Sequence, residues 1–136
     1  MDAAQALADL VEISSQIESA VLANGDGAVL ASTLTSPERS EAIANEGRAL
    51  LSGAAGPAGE PTQLYVAFHV GCVFVVGVGE RLVVAVTARE PTAGLVFYDL
   101  KTCLRLSGEQ EPAKKATSGA RRKKQRDDEE VAADEA

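Results

Sequence analysis

The sequence predicts an α+β fold: a five-stranded antiparallel sheet with helices on both faces, in the order α-β-β-α-β-β-β-α. Three observations carry this. Between Gln63 and Ala88, three runs rich in Val, Phe, Tyr and Leu are broken at His69-Val70-Gly71 and at Gly79-Glu80-Arg81, the pattern of consecutive strands joined by tight turns. Both faces of those strands are apolar: Cys72, Phe74, Val76 and Val78 alternate with Val73 and Val75, and Leu82, Val84, Val86 and Ala88 with Val83 and Ala85. An antiparallel sheet that is apolar on both sides needs cover on both. The third observation is Asn24-Gly25-Asp26-Gly27 between two apolar runs, the strongest hairpin signal in the chain.

The elements follow in order. Leu7, Leu10, Val11 and Ile17 keep helical spacing, with Ser14 interrupting the stripe, predicting a first helix from Ala3 to Ser15. From Ile17 the period becomes two, with Ile17, Ser19, Val21 and Ala23 on one side and Glu18, Ala20 and Leu22 on the other. The second strand is Ala28 to Ser32. Ser36-Pro37-Glu38 opens the second helix with a capping hydroxyl, a proline where no amide donor is needed, and a carboxylate at the positive end. Its apolar stripe reads Ile43, Gly47, Leu50, Leu51 and Ala54; Gly47 implies close approach of helix backbone to sheet. Ala42 and Ala49 flank the stripe and fit either solvent or a helix–helix contact in a dimer. Pro91 begins a last helix to about Leu106, with Val96, Leu100, Cys103 and Leu104 on its buried face.

Composition bounds the function. The 136 residues suit one domain, residues 1–108, and a charged tail, residues 109–136, expected to be disordered because Val131 is its only strong hydrophobe. Residues 1–108 hold 6 Lys and Arg against 12 Asp and Glu, net −6, which argues against nucleic-acid binding by the folded part. The basic run Arg121 to Arg126 is followed at once by Asp127 to Glu130, so a self-screened tail is preferred to a lipid or nucleic-acid contact. Pro61 to Gly79 carries no formal charge, but glycines and His69 interrupt it and its flanks do not anchor, so no transmembrane segment is expected. With no secretory pattern at the N-terminus, Cys72 and Cys103 are expected to be reduced core residues of a cytoplasmic protein.

No active site is legible. His69 and Cys72 lie three residues apart across a turn, without an orienting third group, and no second cluster completes a metal site. The glycines of the hairpin lack the Lys-Ser/Thr and following helix of a phosphate loop, and Gly77-Val78-Gly79 lacks the third glycine of a dinucleotide fingerprint. Catalytic residues, metal and cofactor are all expected to be none. More informative is the strand expected from Gln63 to Val70, with Tyr65, Ala67 and His69 on one face and Leu64, Val66, Phe68 and Val70 on the other. An outer strand this apolar invites pairing with a second chain.

The Asn24-to-Ser32 hairpin, the run Leu82-Val83-Val84-Ala85-Val86-Thr87 leading into Pro91-Thr92-Ala93-Gly94-Leu95-Val96, and the element order together resemble the Roadblock family, named for a dynein light chain. Gly94-Leu95-Val96-Phe97-Tyr98-Asp99-Leu100-Lys101 is most similar to bacterial, actinobacterial-type members. The resemblance covers residues 3–107. It implies a profilin-like three-layer sandwich that homodimerises through the third strand and second helix, and that binds and regulates a small Ras-like GTPase without being an enzyme itself. Carried onto this sequence, the dimer surface comprises Ala42, Ala49, Leu64, Tyr65, Val66, Ala67, Phe68 and His69, and the GTPase rests near Glu38, Glu41, Asn45 and Arg48. The resemblance further suggests the setting of a sensor kinase complex. Two other readings stay open: a polarity or signalling scaffold without a GTPase, and a small-ligand sensor with room near Gly47, Ala67 and Gly77.

Overall fold

The computed structural model describes residues 2–108, and the expected disordered tail lies outside the described residues. The elements are α1 (Ala3–Ile13), β1 (Ile17–Asn24), β2 (Val29–Ser32), α2 (Pro37–Gly53), β3 (Gln63–Ala67), β4 (Cys72–Val78), β5 (Arg81–Thr87) and α3 (Ala93–Gly108). The five strands form one antiparallel sheet in the order β2-β1-β5-β4-β3. The last two strands, β4 and β5, therefore lie between the first hairpin and β3, and among the described residues β3 is an outer strand hydrogen-bonded only to β4.

Helices cover both faces. On one side α1 and α3 pack together over a core of Leu7, Leu10, Leu22, Phe74, Val83, Leu100 and their neighbours. On the other side α2 lies alone, over Val21, Ala23, Val75, Leu82 and Val84. The faces sort as the alternation requires: Cys72, Phe74, Val76, Val83 and Ala85 turn toward α1 and α3, Val75, Leu82 and Val84 toward α2. Phe74 joins the layers on its side, stacked on Tyr65 at 4.7 Å and edge-on to Phe97 at 5.0 Å.

Caps fix the helix starts. The Asp2 carboxylate accepts from the Gln5 amide at 2.8 Å, and the Ser36 hydroxyl accepts from the Arg39 amide at 3.2 Å with Pro37 in the first turn. In the first hairpin the Asn24 amide donates to the Ala28 carbonyl at 2.8 Å, and positive φ falls on Gly27 (96°). Close approach at Gly47 holds: a Cβ there would collide with Val84 Cγ2, so α2 sits against β5 at a distance only glycine allows.

Several boundaries and faces differ from the sequence expectation. The first helix stops at Ile13 because Ser14 turns extended as its C-cap, and the last starts at Ala93, where the Leu95 and Val96 amides donate back to the Thr92 carbonyl. A bulge between Ile17 and Ser19 moves Ile17 onto the side of Ala20 and Leu22, breaking the expected alternation. The buried row of α2 is Ser40, Ala44, Gly47 and Leu51; Ile43 and Leu50 are half-buried and Ala54 is the exposed cap. The outer strand ends at Ala67 rather than Val70, since the Phe68 amide donates to the Gly71 carbonyl at 2.7 Å and closes the turn. Phe68 and His69 therefore lie in a turn, not on the strand.

Candidate interaction surface

The outer strand is built from both sides. The register Leu64↔Val75 and Val66↔Val73 sets Leu64 and Val66 on the α2 face, while Tyr65↔Phe74 and Ala67↔Cys72 set Tyr65 and Ala67 on the other. Tyr65 keeps 44% of its surface exposed even while stacked on Phe74, and Phe68 and Val70 in the adjoining turn expose 52% and 84%. A cavity of about 200 Å³ opens beside that turn, walled by Phe68, Val70, Val73 and Val86. The strand thus presents an unpaired backbone rim with large apolar groups on and beside it.

On the same face, α2 crosses the sheet from β2, where Ser32 and Ser40 share a hydrogen bond of 2.7 Å, over Val84, to Leu51 beside Gly77 of β4. It stops short of β3, leaving Leu64, Val66 and Val73 only partly covered. Helical spacing divides its exposed side into two rows. One holds Ala42 and Ala49, both exposed; the other holds Glu38, Glu41, Asn45 and Arg48. Glu38 and Glu41 are exposed. Asn45 leans on the first hairpin, its Oδ1 filling the space a side chain on Gly27 would need. Arg48 is paired: its guanidinium donates to Glu60, which also accepts from the Ser52 hydroxyl at 3.2 Å, pinning the loop before β3 to α2.

The predicted residues therefore fall into two groups on one face or rim, with exceptions. Tyr65 and Ala67 belong to the opposite face of the sheet, reachable from the edge alone. Neither the Arg48–Glu60 pair nor the hairpin role of Asn45 was visible in the sequence, because both depend on segments distant along the chain meeting in space.

The chemistry-bearing side chains stay apart. His69 is exposed in its turn while Cys72 is buried in the core, so no Cys–His pair forms. Burial, reinforced by the nearby Asp9 carboxylate, pushes the Cys103 thiol up to about 11, so it is a neutral thiol and a poor nucleophile at neutral pH. Among the described residues no group of three or more His, Cys, Asp or Glu is arranged to hold a metal ion. The space expected at Gly47 and Gly77 for a small ligand is taken by Val84 and Leu51. Among the described residues no helix is long and apolar enough to cross a membrane.

What the fold and its open edge define is an α+β sandwich of the profilin-like type. A profilin II from Acanthamoeba castellanii superposes with a TM-score of 0.55 at 15% identity, over 79% of this chain and 98% of that one. Within that class, the chain has the fold of bacterial Roadblock/LC7 domains. A Roadblock/LC7 domain from Streptomyces avermitilis matches with a TM-score of 0.72 at 21% identity, covering 81% of this chain and 98% of the other. MglB from Myxococcus xanthus matches with a TM-score of 0.67 at 15% identity, over 85% and 92% of the two chains. By sequence, no family model and no curated protein matches.

Proposed function

We propose that this chain is a homodimeric, non-catalytic regulator or scaffold that binds a small Ras-like GTPase and modulates its nucleotide cycle in the cytoplasm. The observation that carries the dimer is the outer strand β3, whose hydrogen-bonding rim has no partner strand among the described residues, and on and beside which Tyr65 and Phe68 remain about half exposed. Pairing two copies through β3 would satisfy that rim. A second α2 would then cover Leu64, Val66 and Val73, with Ala42 and Ala49 small enough to let the two helices meet. The polar row Glu38, Glu41, Asn45 and Arg48 would remain on the outside of the paired helices as the GTPase contact.

The likeness in fold to MglB and to a Roadblock/LC7 domain supports this choice of partner class, as does the resemblance read from the hairpin and the last helix. Among the described residues Cys103 is a neutral, buried thiol, and His69 and Cys72 are separated. The test is binding of the purified full chain to small Ras-like GTPases loaded with GDP or a GTP analogue, with phosphate release measured beside it. The proposal expects nucleotide-dependent binding, weakened by Glu41→Lys. Absence of binding in both nucleotide states across the candidate GTPases contradicts it.

A further inference from the structure

A second concave surface lies on the far side of the sheet, between α1 and α3. Its walls are Leu10 and Ile13 from α1 and Tyr98 and Leu106 from α3, around a cavity of about 140 Å³ floored by buried Cys103. Ile13 and Tyr98 are 71% and 68% exposed. Single exposed hydrophobes are ordinary, but two large ones converging on one apolar cavity are not. Leu95, one turn before Asp99 on α3, adds a further exposed side chain.

The rim of this groove is acidic. Asp9 lines it from α1, held by a 2.9 Å hydrogen bond from Gln5, and Asp99 lines it from α3. Glu12 is exposed on α1; the cations of α3, Lys101 and Arg105, are not among the residues that line the cavity, although Arg105 shares the helical row of Tyr98. An apolar slot between two carboxylates is complementary to one kind of occupant: a hydrophobic side chain flanked by cations. The same carboxylates repel an anionic membrane surface. The chain's own tail carries the cations but, apart from Val131, no strong hydrophobe to fill the slot.

We propose that the α1–α3 groove is a docking site for an amphipathic helix of a partner protein. One apolar side chain of that helix occupies the cavity, and Lys or Arg within a turn on either side pair with Asp9 and Asp99. This goes beyond the reading of β3 and α2, because the groove lies on the opposite face of the sheet. It stays open whether or not those elements are engaged, so one chain could connect two different proteins.

The test uses the full chain, isotope-labelled for amide NMR, titrated with three synthetic peptides: an amphipathic helix of Leu and Lys, the same pattern with Glu for Lys, and the Leu/Lys composition in an order that abolishes amphipathicity. The expected result is shifts clustered at residues 9–13 and 98–106 with the first peptide only. Tyr98→Ser should abolish them, and the pair Asp9→Asn with Asp99→Asn should weaken binding about tenfold. These side chains are exposed or half-exposed, so the variants should fold, which circular dichroism checks. Any of four results overturns the proposal. The scrambled peptide could bind equally well, the shifts could fall on β3 or α2, or the Leu/Lys helix could fail to bind. If Tyr98→Ser instead moves amides of residues 109–136, the groove belongs to the chain's own tail and the proposal also falls.

Discussion

Gly47 gives the sharpest test of how α2 sits on the sheet. In an ordinary helix interior, glycine to alanine stabilises by about 1 kcal/mol. Here the added methyl would collide with Val84 Cγ2 and come within 3.6 Å of Leu82 Cδ1, and both side chains are buried in the core under α2. Forcing an extra carbon into a filled core costs about 1–3 kcal/mol. The opposing terms leave Gly47→Ala destabilising by about 1 kcal/mol. Trimming the obstacle reverses the sign: Val84→Ala alone should cost about 2 kcal/mol, but in that background Gly47→Ala finds space and should stabilise. The double-mutant cycle is then expected to show a coupling of at least about 1 kcal/mol. Urea unfolding followed by circular dichroism measures all four proteins, at one fixed concentration because self-association would add to apparent stability. If Gly47→Ala stabilises the parent protein and the coupling is near zero, α2 does not approach β5 as described.

Three further outcomes follow from single groups. Ser36→Ala removes the hydroxyl that accepts from the Arg39 amide and should cost about 1 kcal/mol in the same unfolding assay, whereas Ser36→Asp should retain most of it. The folded state holds the Cys103 proton more tightly than the unfolded chain, about 11 against 9.0, so its contribution is intact below pH 9 and lost as pH rises toward 11. Over that window Cys103→Ala should lose less stability than the parent, and the parent thiol should react slowly with thiol reagents at pH 8. Glu60→Gln breaks a partly exposed pair and should change global stability by less than about 1 kcal/mol, while amide exchange in residues 54–62 quickens as the loop loosens from Arg48.

Much of the fold was legible because its signals are local. Asn24 to Gly27 names a turn, Ser36-Pro37-Glu38 names a helix start, and alternation in residues 72–88 separates the side chains of the two faces. The features that differ are those decided by register or by another segment. Ile17 changes sides through a bulge that no local pattern announces. The end of β3 is set by the turn the Phe68 amide makes with Gly71, although Phe68 and Val70 are as strand-prone as the residues before them. Gly47 was legible because a glycine in the middle of a helix's apolar stripe sacrifices helix stability, and close contact with the sheet is what offsets that loss. The groove between α1 and α3 was not, since its apolar residues are indistinguishable from core in the helical pattern until the spacing of two helices is known. As for the candidate site, the outer strand and the polar row of α2 could be foreseen, but the engagement of Arg48 by Glu60 could not.

Joining of two copies through β3 is tested most directly by sedimentation of the full chain beside Val66→Lys. Val66 faces the α2 side of the strand and is half-buried in the single chain, so a lysine there can reach solvent in the monomer but not in the paired form. The parent should sediment as a dimer at micromolar concentration, and the variant, equally folded by circular dichroism, should associate on the order of 100-fold more weakly. A parent that stays monomeric at every concentration, or a dimer indifferent to the lysine, would contradict the account.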